Sequence, residues 1–179
     1  MALVVFLKGV NVGGHRRLRP RALAKELRHL EVVSLGAAGT FIVGKALPEA
    51  ALRAEIQGRV PFEVEMMICS GAELLRLASA DPFEGQAGER DIVPFVGVLA
   101  SPGQFPATLP LSLPAQGDWC LKLLGCRGRF VLGLYRRQMK AITYLGQLER
   151  VAGAPMTVRN WNTILAIAKA LRGRTKPGG

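Results

Sequence analysis

The stretch ALVVFLKGVNVGG, residues 2–14, decides the fold. Residues 2–7 form a continuous apolar run rich in β-branched side chains, the pattern of a buried strand. Glycines then break the run, and KGVNVGGHRR (8–17) reads as a loop. Pro20 follows where a helix can open, because the N–H it lacks has no intrahelical partner in a first turn. Leu23, Leu27 and Leu30 recur at i, i+4 and i+7, the stripe of an amphipathic helix. EVVSLG (31–36) and GTFIVG (39–44) predict two strands around the turn GAAG, and Pro48 opens a second helix carrying Leu52 and Ile56. FEVEMMIC (62–69) alternates and predicts a strand, with Glu63 and Glu65 sharing one face. Residues 2–69 therefore run β-α-β-β-α-β, the ferredoxin-like order, an antiparallel sheet with two helices on one face.

Ser70 and Glu73 make an S-x-x-E capping box ahead of Leu74, Leu75 and Leu77. The polar segment 81–91 is expected to be a linker between a ferredoxin-like subdomain (1–80) and a second α+β subdomain (92–173), with residues 174–179 a basic flexible tail. In the second half DIVPFVGVLA (91–100) predicts a strand, placed at a sheet edge because Pro94 cannot donate to a ladder. The proline-rich stretch 101–117 is expected to be irregular. DWCLKLLG and RGRFVLGLY predict a hairpin turning near CRGR (126–129). Met139, Ile142, Leu145 and Leu148 mark a helix that Gly153 ends, with Pro155 beyond. Trp161, Ile164, Leu165, Ala168 and Leu171 mark a last one. The expected fold class is α+β: a ferredoxin-like half, then a half with mainly antiparallel strands and two C-terminal helices.

The chain has 179 residues, is 49% apolar and carries a formal charge of +11. The charge is uneven. Residues 8–30 hold seven basic groups against Glu26 alone; residues 31–90 are net −4 and residues 91–179 net +9. Such a field attracts nucleic acid, nucleotides and other anions. Of the 24 basic residues 17 are arginine, so a coding sequence rich in G and C is another source of the bias. Cys69, Cys120 and Cys126 form no C-x-x-C pair, and the only histidines are His15 and His29, so neither a structural metal site nor a disulfide framework is expected. The N-terminal apolar run is too short for a signal segment or a membrane span. A cytoplasmic protein with no membrane partner and no cofactor is expected.

Two segments carry the candidate chemistry. In the first, Gly9, Gly13 and Gly14 lie between a strand and a helix, where backbone N–H groups can converge on an anion. The spacing matches neither a dinucleotide fingerprint nor a P-loop, and a tight turn needing positive φ is the favoured account. Asn11 would contact a ligand or bond its own turn. Arg16, Arg17, Arg19 and Arg21 would grip phosphates or form a solvated face. His15 is the one titratable group near pH 7 in a suggestive place.

The second segment is TVRNWNTI, 157–164. Asn160 is placed to cap the last helix by accepting from the N–H of Asn162 or Thr163, and Trp161 to anchor it in the core. Arg159, Asn162 and Thr163 remain as polar groups for a carboxylate or phosphate, or for internal loop carbonyls. Tyr135, Arg136, Arg137, Lys140 and Tyr144 interleave basic and aromatic groups, as nucleic-acid surfaces do and as a charged helix face does. No base–nucleophile pair is visible.

FLKGVNVGGH (6–15) and TVRNWNTI resemble the two signature segments of the bacterial family called domain of unknown function 1697, whose members begin with a strand and R-G-I-N-V-G-G and finish with T-x-R-N-W-N-T. The SGAEL helix start (70–74) and DPF (81–83) extend the resemblance over nearly the whole chain. It implies a ferredoxin-like α+β architecture and names no activity. Two positions depart from the pattern. Lys8 stands for the usual arginine, and AAGT (37–40) for the usual Q-S-G-N, so a site using that glutamine, serine and asparagine would be altered here.

The combined expectation is a binder of nucleic acid or a nucleotide-like or phosphate ligand, its site joining loop 9–16 to the start of the last helix. Arg16 and Arg159 would pair with the anion, Gly13 and Gly14 would present N–H groups, and Asn11 and Asn162 would orient it, with Gly9, Asn160 and Thr163 completing the anion-binding set. The alternatives are an enzyme acting on a small phosphorylated or carboxylated metabolite with His15 as acid–base, or motifs that serve the fold alone. The sequence leaves the oligomeric state open.

Overall fold

The computed structural model describes residues 1–86, 89–102, 105–106 and 108–175. Ala87 and Gly88 of the expected linker, Gly103, Gln104 and Ala107 of the proline-rich stretch, and Lys176–Gly179 of the expected tail lie outside the described residues. Two compact units emerge: Met1–Ser79 with the chain from Leu165 on, and Ala80–Ile164.

In the first unit β1 (Leu3–Leu7), β2 (Val32–Leu35), β3 (Thr40–Val43) and β4 (Met66–Ser70) form one sheet in the order β2-β3-β1-β4, every neighbouring pair antiparallel. That is the ferredoxin-like arrangement read from the sequence. Helix α1 (Pro20–Glu26) links β1 to β2 and α2 (Glu49–Gln57) links β3 to β4. Leu23 and Leu27 after α1's first turn, and Leu52 and Ile56 of α2, pack with Val5, Leu7, Phe41, Val43, Met66 and Ile68 from one face of the sheet. Burying each such side chain stabilises by about 1.5–3 kcal/mol. The alternate residues Val4, Phe6, Ile42, Met67 and Cys69 are buried as well. Burial on both faces explains why these strands read as unbroken apolar runs.

Strand β4 begins only at Met66, so Glu63 and Glu65 precede it and share no strand face. Glu65 instead meets Lys8 at 3.2 Å. Helix α3 (Gly71–Ser79) starts with the expected box: Glu73 Oε2 accepts from the Ser70 N–H (2.8 Å), and Ser70 Oγ from the Glu73 N–H (3.2 Å).

In the second unit β5 (Ile92–Leu99), β6 (Leu111–Leu113), β7 (Leu121–Arg127), β8 (Phe130–Arg136) and β9 (Met156–Asn160) form a sheet in the order β6-β7-β8-β5-β9, again antiparallel throughout. Helix α4 (Met139–Ala152) links β8 to β9, and Gly153 ends it at φ 65°. Helix α5 (Trp161–Thr175) follows β9 directly and carries Arg174, expected in the tail, within its last turn.

Four expectations change in this half. Strand β5 lies between β8 and β9, not at an edge; Pro94 is tolerated because pairing with β9 begins only at Phe95. The proline-rich stretch contributes β6, which pairs with β7 through Leu111–Leu113. Residues 156–160 are a strand, hidden from a periodicity reading by their arginine and asparagine. Helix α4 is present, but Met139 (81% exposed) and Ile142 (61%) face outward. Its buried face is Ala141, Leu148 and Ala152. Small alanines pack close to a sheet where longer residues could not, so of the four residues whose spacing marked the helix only Leu148 is fully buried.

Candidate functional site

The glycine-rich loop is a miniature hairpin. Val12 and His15 form a β-bridge, with the His15 N–H donating to the Val12 carbonyl at 3.1 Å and the Asn11 N–H to that of Arg16 at 3.2 Å. Gly13 (φ 60°) and Gly14 (φ 77°) are its two central residues, and a tight hairpin turn of this kind requires positive φ at both. The base is tied down by Asn11. Its Nδ2 donates to the Leu18 (2.9 Å) and Ala37 (2.8 Å) carbonyls, and its Oδ1 accepts from the Leu18 N–H (2.8 Å). The Asn11 amide therefore serves the chain itself. The tip is open to water: Val12 is 66% exposed, and Gly13, Gly14, His15, Arg16 and Arg17 are exposed. Gly9 (φ 67°) leads into the loop. Among the described residues the His15 ring makes no hydrogen bond or ion pair, so nothing orients it as an acid or base.

Beside the hairpin lies a cleft of about 490 Å³ lined by Asn11, Leu18, Arg19, Pro20, Arg21, Ser34, Gly36 and Ala37. Asn11 builds it by drawing the start of α1 and the β2–β3 turn onto one loop. Arg16, Arg17, Arg19 and Arg21 are all exposed, and among the described residues none makes an ion pair. The side chain of Arg17 donates to the Gly14 carbonyl, 3.3 Å away. Four arginines elsewhere are neutralised: Arg53 by Glu49, Arg59 by Glu55, Arg136 by Glu89 and Asp91, and Arg174 by Glu31. No carboxylate lines the cleft. Arg19 and Arg21 line it; both belong to the arginine cluster read from the sequence, of which the combined site takes only Arg16, and no acidic residue lies between Lys8 and Lys25.

The other candidate segment lies in the second unit. Asn160 caps α5 as expected: its Oδ1 accepts from the Thr163 N–H (2.8 Å) and the Thr163 hydroxyl (2.9 Å). Trp161 is buried and meets Phe83 edge to face, ring centroids 5.1 Å apart. Arg159 points inward. It is 7% exposed, and its Nη1 donates to Thr157 Oγ1 and the Val158 carbonyl, both at 2.9 Å. Burial penalises its charge and pushes its pKa down to about 10. Asn162 is exposed. With Arg137, Asn160, Trp161, Ile92, Val93 and Pro94 it lines a second cleft of about 270 Å³. The sheet explains this grouping. The start of β5 lies beside the end of β8 (Ile92 opposite Arg136) and the end of β9 (Phe95 opposite Asn160). Nothing in linear spacing connects residue 137 to residue 162.

No helix among the described residues is long and apolar enough to cross a membrane. A four-stranded ferredoxin-like sheet and a five-stranded antiparallel sheet, each with its own cleft, define a two-sheet α+β protein. The chain belongs to the family described as "Protein of unknown function (DUF1697)", whose model matches residues 1–106. The matched residues include KGVNVGGH (8–15) and end before TVRNWNTI. The chain is also similar in fold to the conserved bacterial protein SP0830 from Streptococcus pneumoniae, at 15% identity and a TM-score of 0.62, over 95% of this chain and 98% of that one. Among curated proteins none matches.

Proposed function

We propose that this protein binds a phosphate-bearing anionic partner, nucleic acid foremost, through the arginine-rich hairpin and the adjoining turn into α1. One observation carries the reading. Four exposed arginines within six residues have no carboxylate partner among the described residues, while Glu31, Glu49, Glu55, Glu65, Glu89 and Asp91 pair with basic residues elsewhere. An unneutralised cluster of this kind lowers its own repulsion by taking up phosphates and releasing their counterions. The hairpin holds the cluster outward, and Asn11 fixes its base. Nothing here uses Arg159, which is buried.

The test is binding of fluorescently labelled duplex and single-stranded oligonucleotides, followed by anisotropy at several salt concentrations. Four phosphate contacts predict a log–log salt slope of about −3 to −4, hence roughly a hundredfold weakening between about 50 and 200 mM salt. The R16A/R17A/R19A/R21A variant should lose most of the affinity and nearly all of that slope. An unchanged slope in that variant would show the hairpin to be a bystander.

A further inference from the structure

We infer that the cleft at the start of β5 is a second and separate binding site, built for a small organic monocarboxylate. Its polar wall offers donors. Two acids and three arginines, Arg90, Arg136 and Arg137, lie at this end of the sheet, but both acids go to one arginine: Arg136 Nη1 takes Glu89 at 3.1 Å and Asp91 at 2.9 Å. Arg137 makes no ion pair among the described residues, is exposed, and lines the cleft. The Asn160 Oδ1 is already used by Thr163, which leaves Nδ2 as the group it can offer. The Asn162 amide, also in the cleft, has no hydrogen bond among the described residues and can contribute a further donor. A guanidinium fork with amide donors recognises the two oxygens of a carboxylate.

The rest of the cleft is apolar. Ile92, Val93 and Pro94 supply one wall, and the buried Trp161 ring another part of the lining. Such a surface suits the hydrocarbon body of a ligand, with the few polar groups fixing its orientation. Charge decides between head groups. Glu89, Arg90, Asp91, Arg136 and Arg137 sum to +1, which a single negative charge offsets more closely than the double charge of a phosphate monoester. Size sets the upper bound: 270 Å³ corresponds to roughly nine water-sized groups, the scale of a benzoate ion.

Benzoate is therefore the probe, with benzyl alcohol as its uncharged counterpart. Trp161 lines the cleft, so a W119F protein reports occupancy through the one remaining tryptophan. Benzoate should give a saturable fluorescence change, and benzyl alcohol none. The R137A variant should bind at least about tenfold more weakly, as loss of a charge-assisted pair requires. N160D should also lose binding, because it keeps the helix cap yet adds a negative charge to the cleft; an unchanged melting temperature verifies its fold. The R16A/R17A/R19A/R21A protein should bind benzoate normally, which separates this site from the nucleic-acid reading. A lack of saturation at tens of millimolar, equal responses to both probes, or wild-type binding by R137A and N160D would overturn the assignment.

Discussion

The side-chain amide of Asn11 pairs in both directions with the backbone of Leu18, accepting from its N–H at 2.8 Å and donating to its carbonyl at 2.9 Å. The same Nδ2 reaches the Ala37 carbonyl at 2.8 Å. One side chain thus imitates a peptide group and ties the hairpin to the start of α1 and to the β2–β3 turn. N11A removes all three bonds at a site water can reach. It should destabilise by about 1–3 kcal/mol, a fall of about 2–4 °C in Tm per kcal/mol for a chain of this size. N11D should be no better, since it trades the donor for a charge facing two carbonyls. Calorimetric melting of both variants checks this, and a wild-type Tm in either would remove the tie from the account.

Two left-handed glycines should respond differently to alanine. A Cβ on Gly13 would meet nothing closer than the His15 ring at 4.0 Å, whereas one on Gly39 would lie 2.7 Å from Val10 and 2.9 Å from Leu7. G13A should cost only the left-handed penalty of about 1–2 kcal/mol. G39A should add an overpacking cost of about 1–3 kcal/mol. Urea midpoints of the two variants measure the difference, and equal losses would contradict the packing described.

Burial makes Arg159 an unusual cation. Its pKa of about 10 lies below the ordinary guanidinium value, so between the two the unfolded chain holds the proton more tightly. The contribution of this group to stability then rises with pH across that window. Below about pH 10 both states are protonated, and the folded state bears the whole desolvation cost. R159M, which keeps volume and removes charge, should be neutral or mildly stabilising at pH 7. R159A should lose about 2–4 kcal/mol to the cavity. Denaturation at pH 7 tests both, and R159M should leave oligonucleotide affinity untouched.

The cap on α5 gives a fourth test. N160A removes the acceptor for the Thr163 N–H and should cost about 0.5–2 kcal/mol, while N160D and N160S should retain most of the stability. Thermal melts of the three variants decide it; a harmless N160A would mean that the junction of β9 and α5 is held by packing alone.

Much of the fold was legible because local chemistry and tertiary demand agree there. Apolar runs at 2–7 and 39–44, proline at positions 20 and 48, the Ser70–Glu73 box, glycine at 153 and asparagine at 160 each act within a few residues of themselves. Signals failed where a distant partner decides. Strand β6 exists because β7 offers it a ladder, Pro94 is harmless because β9 stops short of it, and the buried face of α4 is set by alanines that carry little hydrophobic signal. The candidate site was legible as residue types rather than as groupings. The arginines of residues 16–21 stood out by charge, yet their lack of ion pairs required the positions of every carboxylate.

By itself the sequence determined the element order of residues 2–69, the antiparallel first sheet, the helix caps and the glycine turn, since these follow from backbone preference and from periods of two and 3.6 residues. Only the tertiary structure decided which polar groups face water. Asn11 is occupied by carbonyls from two other segments, Arg159 is buried, and Arg137 joins Asn162 because three strand ends meet. Exposure and pairing depend on what other segments bring alongside, and strand pairing sets those neighbours across long separations in the chain.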